Sequence, residues 1–258
     1  MSPRRRILLL AAAAVVLVML AVAGLRLLRT PGDSGFRPDQ AVPGTVLLVP
    51  GYGGSQTALA QLAGRLTATG RTARVVTLPD GGTGDLLVQA QTLDAAVRAA
   101  LVDGAPSVDV IGYSAGGVVA RLWVDRHDGA AVARRVVTLG SPLHGARIAG
   151  AGVALAPDAC PAACRQLAPG NALLDRLDGT DLPDGLPWLS IWTEDDETVQ
   201  PSDSARLDGA VNVPLQSLCP QVRVSHGELP TDPAVTALVI AALGTAPLAA
   251  PDGCPVRS

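Results

Sequence analysis

Six short apolar runs set the terms for this chain: TVLLVP (45–50), ARVVTLP (73–79), SVDVIGY (107–113), RRVVTLGS (134–141), PWLSIWT (187–193) and GAVNVPL (209–215). A strand with one wet face alternates apolar and polar residues, whereas a nearly continuous apolar run is a strand buried on both faces. Between the runs the period changes. Leu59, Leu62, Ala63 and Leu66 share one helical face within 56–69, and Leu86, Leu93, Val97 and Leu101 share another within 86–102. Further helices are expected at 115–127 and 232–243. Apolar strands alternating with amphipathic helices fold as an α/β domain, a central and mostly parallel six-stranded sheet with helices on both faces. No internal repeat is visible. The interval 147–186 fits the rhythm least: it holds Gly, Pro and a close cysteine pair, with one helix expected at 171–178, and reads as a short lid-like insertion.

Composition narrows the classes. Hydrophobic residues make up 48% of the chain but aromatics only 2%, so the core must be aliphatic. Such a chain lacks the stacking platforms of a single-strand nucleic-acid binder. All 20 basic residues are arginine, and five of them precede residue 30, where no acid occurs. The remainder carries 15 basic and 23 acidic residues, about −8, with no basic stripe for nucleic acid.

The N-terminal segment, 1–29, stands apart. Arg4-Arg5-Arg6 leads into 19 uninterrupted small and apolar residues, Ile7 to Leu25. That length can span a bilayer. Ala21-Val22-Ala23 equally fits the small-x-small pattern of a signal-peptide cleavage site. A retained transmembrane anchor and a cleaved signal both stay open, and both export the rest of the chain, either secreted or anchored to the cell membrane with its domain outside. Residues 30–43, rich in Pro, Gly and charge, read as a linker to a domain over 44–258. The even cysteine count agrees with export. Cys160 and Cys164 flank only Pro-Ala-Ala and can easily meet, which leaves Cys219 to pair with Cys254. A zinc site is disfavoured, because the spacing is not C-x₂-C and no histidine shares the short loop. No metal and no cofactor is expected.

The third apolar run ends in VIGYSAGGVV, with Ser114 between Gly112 and Gly116. Gly-x-Ser-x-Gly at a strand–turn–helix junction is the setting of a nucleophile elbow, where a sharp turn exposes the serine hydroxyl. The plainer alternative is an ordinary serine N-cap. A nucleophilic serine needs a base, and an elbow of this kind is followed along the chain by an acid and then a histidine. Three histidines exist. His127 ends the helix after Ser114, and His144 precedes every candidate acid. His226, beyond the last strand, remains. The acid should follow the fifth strand, where Glu194, Asp195, Asp196 and Glu197 stand in a row; position does not choose between Asp195 and Asp196. An oxyanion hole needs two backbone N–H groups. Ala115 supplies one, and Tyr52, in the loop VPGYGGS after the first strand, is expected to supply the other.

On these residues the chain resembles the α/β-hydrolase superfamily, specifically small secreted bacterial lipases and esterases, over about residues 44–245. VLLVPGYGGS is similar to their oxyanion strand and loop, with Pro50-Gly51-Tyr52 in place of the commoner His-Gly-x; the Pro-Gly form belongs to a fungal group of lipase B type. GYSAGG resembles their elbow. DETVQP (196–201) resembles an Asp-Glu-x-Val-x-Pro segment whose leading Asp is catalytic, and that resemblance selects Asp196. LGSPLHG (139–145) is similar to a segment whose histidine is structural or pocket-lining, which sets His144 aside. The resemblance implies a minimal α/β-hydrolase fold, since the chain before 44 is too short for the extra N-terminal strands of larger members. It implies a monomeric serine hydrolase acting on acylglycerols or shorter acyl esters, with Ser114, Asp196 and His226 as its triad. An acyltransferase using the same acyl-enzyme is the second reading. A catalytically dead, membrane-tethered binding module is the third, and the complete ordered set of three residues argues against it.

Overall fold

The computed structural model describes residues 37–255; the proposed anchor or signal, 1–29, and the start of the linker lie outside them. Among the described residues no helix is long and apolar enough to cross a membrane. Six strands, β1 (Thr45–Val49), β2 (Ala73–Val75), β3 (Val108–Tyr113), β4 (Ala133–Leu139), β5 (Trp188–Trp192) and β6 (Val211–Pro214), form one sheet in the order β2-β1-β3-β4-β5-β6. Every pairing is parallel. The side chains show why the runs are continuously apolar. Val46 and Leu48 of β1 enter one core layer and Leu47 and Val49 the other. Both faces are therefore dry.

The helices are α1 (Thr57–Ala68), α2 (Leu86–Val102), α3 (Ala115–Arg126), α4 (Arg147–Leu155), α5 (Ala162–Gln166), α6 (Ala172–Asp178), α7 (Leu215–Leu218) and α8 (Pro233–Ala242). α1 and α8 pack on the face that holds Val46 and Leu48, whereas α2 and α3 pack on the face that holds Leu47 and Val49. α1 buries Leu59, Leu62, Ala63 and Leu66, the four residues whose spacing predicts it. One expected strand is shorter than its apolar run. β2 stops at Val75, and the chain turns through Asp80 and Gly81, both at positive φ. Pro79, which has no N–H to give a ladder, opens that turn.

The chain leaves β1 towards β2 on one side and returns to β3 on the other. In parallel sheets, such a reversal opens a crevice at the carboxyl ends of the strands. The opposite end of the sheet is tied down by buried guanidinium groups. Arg134, fully buried on β4, donates to Asp109 Oδ2 at 2.6 Å and to the carbonyls of Leu243 and Gly244 at 2.7 and 2.8 Å. Arg135 donates to the carbonyls of Ala242 and Ala246, and Arg71 to Asp109 and Leu243. These arginines occupy the negative end of the α8 dipole, so they both cap that helix and hold it against the sheet.

Candidate active site

Ser114 follows the last residue of β3, and α3 begins one residue later. Its backbone has φ 53° and ψ −128°, a conformation that side-chain-bearing residues rarely adopt. Three glycines make room for it. A Cβ on Gly116 would lie 2.2 Å from the carbonyl oxygen of Val49, and one on Gly112 would lie 2.5 Å from Gly117 Cα. A Cβ on Gly51 would lie 2.8 Å from Ser114 Cβ. Strand, turn and helix approach this closely only because those side chains are missing.

His226 lies in the 3₁₀ turn His226–Glu228 that follows β6 and precedes α8. Its Nε2 is 3.0 Å from Ser114 Oγ and its Nδ1 is 2.7 Å from Asp196 Oδ2. Asp196, 2% exposed, also accepts from the backbone N–H groups of Thr198 and Val199 through Oδ1, at 2.9 and 2.7 Å. An ionised carboxylate only accepts, so it calls for the proton on Nδ1 and leaves Nε2 free to accept from the serine hydroxyl. The neighbouring Asp195 is turned outwards, near Gln216 and Arg223, with its side chain 42% exposed.

The other two histidines are engaged elsewhere. His144 Nε2 lies 2.9 Å from the carbonyl of Arg206, and its Nδ1 lies 2.9 Å from Asp178. His127 Nδ1 lies 3.6 Å from Asp94. The structure thus brings together Ser114, Asp196 and His226 and keeps His127, His144 and Asp195 apart from them.

Three further contributors have roles that the sequence does not mark, although one of them, Glu197, stands in the acidic run of candidate acids. The Tyr113 hydroxyl donates to the carbonyl of His226 at 3.2 Å, with the two rings 5.2 Å apart. Glu197 accepts from the backbone N–H of His226 at 3.1 Å. Both main-chain groups of the histidine are therefore held by side chains. Burial, with the charges of Asp196 and Glu197 added, pushes the Tyr113 phenol up to about 12, so it stays a donor at neutral pH. Gly140, at φ +54°, faces the Asp196–His226 bond. A Cβ there would lie 3.2 Å from both Asp196 Oδ2 and His226 Nδ1. Nothing local marks these residues, because each acts on a partner 29 or more positions away. Next door, the capping pair Ser225–Glu228 stiffens the turn that carries His226, and its hydrogen bonds lower the Glu228 carboxyl.

Beside Ser114 opens a largely apolar cavity of about 200 Å³. Tyr52 and Ala115 line it with Ser114, and so do Ala146, Ile148, Cys164 and Leu167. Among the described residues no three metal-ligating side chains converge. Cys160–Cys164 and Cys219–Cys254 are both disulfide-bonded, which points to an oxidising environment.

No family model matches the sequence, and no curated protein is similar to it in sequence. Solved structures do match. Lipase B of Aspergillus fumigatus superposes with a TM-score of 0.65 at 20% identity, over 82% of this chain and 53% of that one. The chain thus spans about half the length of that relative. The mature lipase BlEst2 of Bacillus licheniformis gives 0.58 at 22% identity, over 70% of this chain and 86% of its own. A monoacylglycerol lipase of Paleococcus ferrophilus gives 0.55 at 14%, over 81% and 96%. This chain has the α/β-hydrolase fold. Within that fold the junction at Ser114 occupies the strand-to-helix turn that the Gly-x-Ser-x-Gly pattern describes.

Proposed function

We propose that the protein is a serine hydrolase that cleaves carboxylic esters. The observation that carries this reading is the unbroken hydrogen-bonded line from Ser114 Oγ through His226 to a buried Asp196. The fold shared with lipases supports it, and so does the apolar cavity beside the serine. In this reading Ser114 Oγ attacks the ester carbonyl carbon while His226 Nε2 takes the hydroxyl proton. Asp196 holds the imidazole in its productive tautomer and stabilises the imidazolium. The N–H groups of Ala115 and Tyr52 receive the negative oxygen of the tetrahedral intermediate. The imidazolium then protonates the departing alkoxide, the C–O bond breaks and an acyl-Ser114 remains. Water, deprotonated by His226, attacks that ester and releases the acid, which restores the serine.

The protein acts outside the cytoplasm in this reading, on small-molecule or lipid esters, and the N-terminal segment delivers it there. Comparing p-nitrophenyl ester hydrolysis by the wild type and Ser114→Ala tests the reading. The variant should lose about 10⁴-fold or more in kcat, because the triad acts as a unit. A variant that keeps activity within tenfold of the wild type removes Ser114 from the mechanism.

A further inference from the structure

α4 is an unusual wall for a binding site. Its sequence, RIAGAGVAL, places two glycines inside nine residues. Interior glycine weakens a helix, and helices shorter than about 12 residues are marginal without tertiary support. Such support normally comes from a buried apolar face, yet Ala149 is the one buried residue of α4. Ile148 is 63% exposed and Leu155 84%. Other contacts hold the helix. At its start, the backbone N–H of Arg147 donates to the carbonyl of Gln200 at 2.8 Å, and the Arg147 side chain reaches the Gln200 side chain. Further along, Gly152 rests directly on the Cys160–Cys164 disulfide. A Cβ on Gly152 would lie 3.0 Å from Cys164 Sγ and 3.6 Å from Cys160 Sγ. The glycine that weakens the helix is also what lets it sit on the sulfurs.

The same disulfide borders the cavity, for Cys164 lines it together with Ser114 and with Ile148 and Ala149 of α4. The bridge closes a loop with a sequence separation of only four, so it restrains little of the unfolded chain. Its effect is concentrated where it touches. At about 200 Å³ the cavity is smaller than the roughly 300 Å³ at which sites for drug-sized ligands begin.

We propose that the Cys160–Cys164 disulfide is a specificity device: it seats α4 through Gly152, fixes the width of the acyl cavity and restricts the protein to esters of short acyl chains. This rests on the hydrolase reading above. In a tight apolar pocket each methylene is worth about 10- to 200-fold in discrimination, so a wall that shifts by the width of a methylene changes the chain-length profile. Cys160 and Cys164 are positioning residues here, since neither sulfur takes part in acyl transfer.

The experiment compares kcat/KM for p-nitrophenyl butyrate and p-nitrophenyl dodecanoate in the wild type, in the double variant Cys160→Ser/Cys164→Ser and in Gly152→Val. The valine forces α4 off its seat while leaving the bridge intact, so it carries the test alone if the double variant does not fold by far-UV circular dichroism. The wild type should favour butyrate by about 100-fold or more, and each folded variant should reduce that ratio at least tenfold. A uniform loss of activity on both esters would mark a merely structural role and overturn the inference. So would an unchanged ratio, or a wild type that cleaves dodecanoate as fast as butyrate. A wild type that cleaves neither ester brings down the hydrolase reading and the inference with it.

Discussion

Asp195 and Asp196 are adjacent in sequence and opposite in circumstance. Asp196 is buried and accepts from two backbone N–H groups and an imidazole, whereas Asp195 faces Gln216 and Arg223 at the surface. Asp196→Asn should therefore lower kcat by about 10⁴-fold, since an amide in its place lets the imidazole settle in the wrong tautomer. Asp195→Asn should stay within tenfold; equal losses in steady-state kinetics would mean that the acidic run acts through its field. Tyr113 gives a prediction of a different kind. Its folded-state pKa, about 12, lies above the unfolded value near 10, so between those values the folded protein binds more protons than the unfolded one. Stability linked to this group is intact below pH 10 and falls as pH rises towards 12. Tyr113→Phe should flatten that alkaline loss in urea titrations at pH 9 and 11, and an unchanged slope would mean that other groups govern it. The Gly-x-Ser-x-Gly pattern at a strand end picks out Ser114 and chain order picks out His226, whereas Asp196 required the likeness of DETVQP to a known segment. The roles of Tyr113, Glu197 and Gly140 were not legible, even though Glu197 stood among the candidate acids, because they exist only once distant strand ends converge.

At the scale of elements, short apolar runs rich in valine and bounded by Gly and Pro place every strand; the run alone would also fit a buried helix segment, and its short length and its flanks decide. Within 147–186 the expected helix at 171–178 forms as α6, whereas α4 and α5 were not foreseen. α4 carries apolar residues but buries only Ala149; hydrogen bonds, a glycine contact and a disulfide hold it, and such contacts leave no periodic trace. The arginine clamp was equally hidden. Arg134 and Arg135 stand at the head of an apolar run and look like its boundary, yet they cap α8 at the end of the sheet opposite the crevice. Arg134→Met should cost about 3–5 kcal/mol, because it leaves the buried Asp109 with Arg71 as its remaining partner and frees the helix carbonyls. Urea denaturation measures this, and a change below about 1 kcal/mol would show that Arg71 and Arg135 suffice.

For the whole molecule, the Cys219–Cys254 bridge ties the tail after α8 to the segment before His226 across a sequence separation of 35. The loop-entropy relation puts such a closure at roughly 3–4 kcal/mol. Cys254→Ser should lower the melting temperature well beyond what Cys164→Ser does, while activity far below that temperature largely survives. Comparable losses would mean that the short bridge supports more of the fold than α4. These elements converge on the Ser114 hydroxyl, the proposed nucleophile. The most direct test is intact-protein mass spectrometry after exposure to a fluorophosphonate, followed by peptide mapping. The wild type should gain a single adduct located on Ser114, with labelling lost in Ser114→Ala and strongly slowed in His226→Ala. An adduct on another residue, or undiminished labelling of Ser114→Ala, would contradict the assignment of Ser114 as the nucleophile.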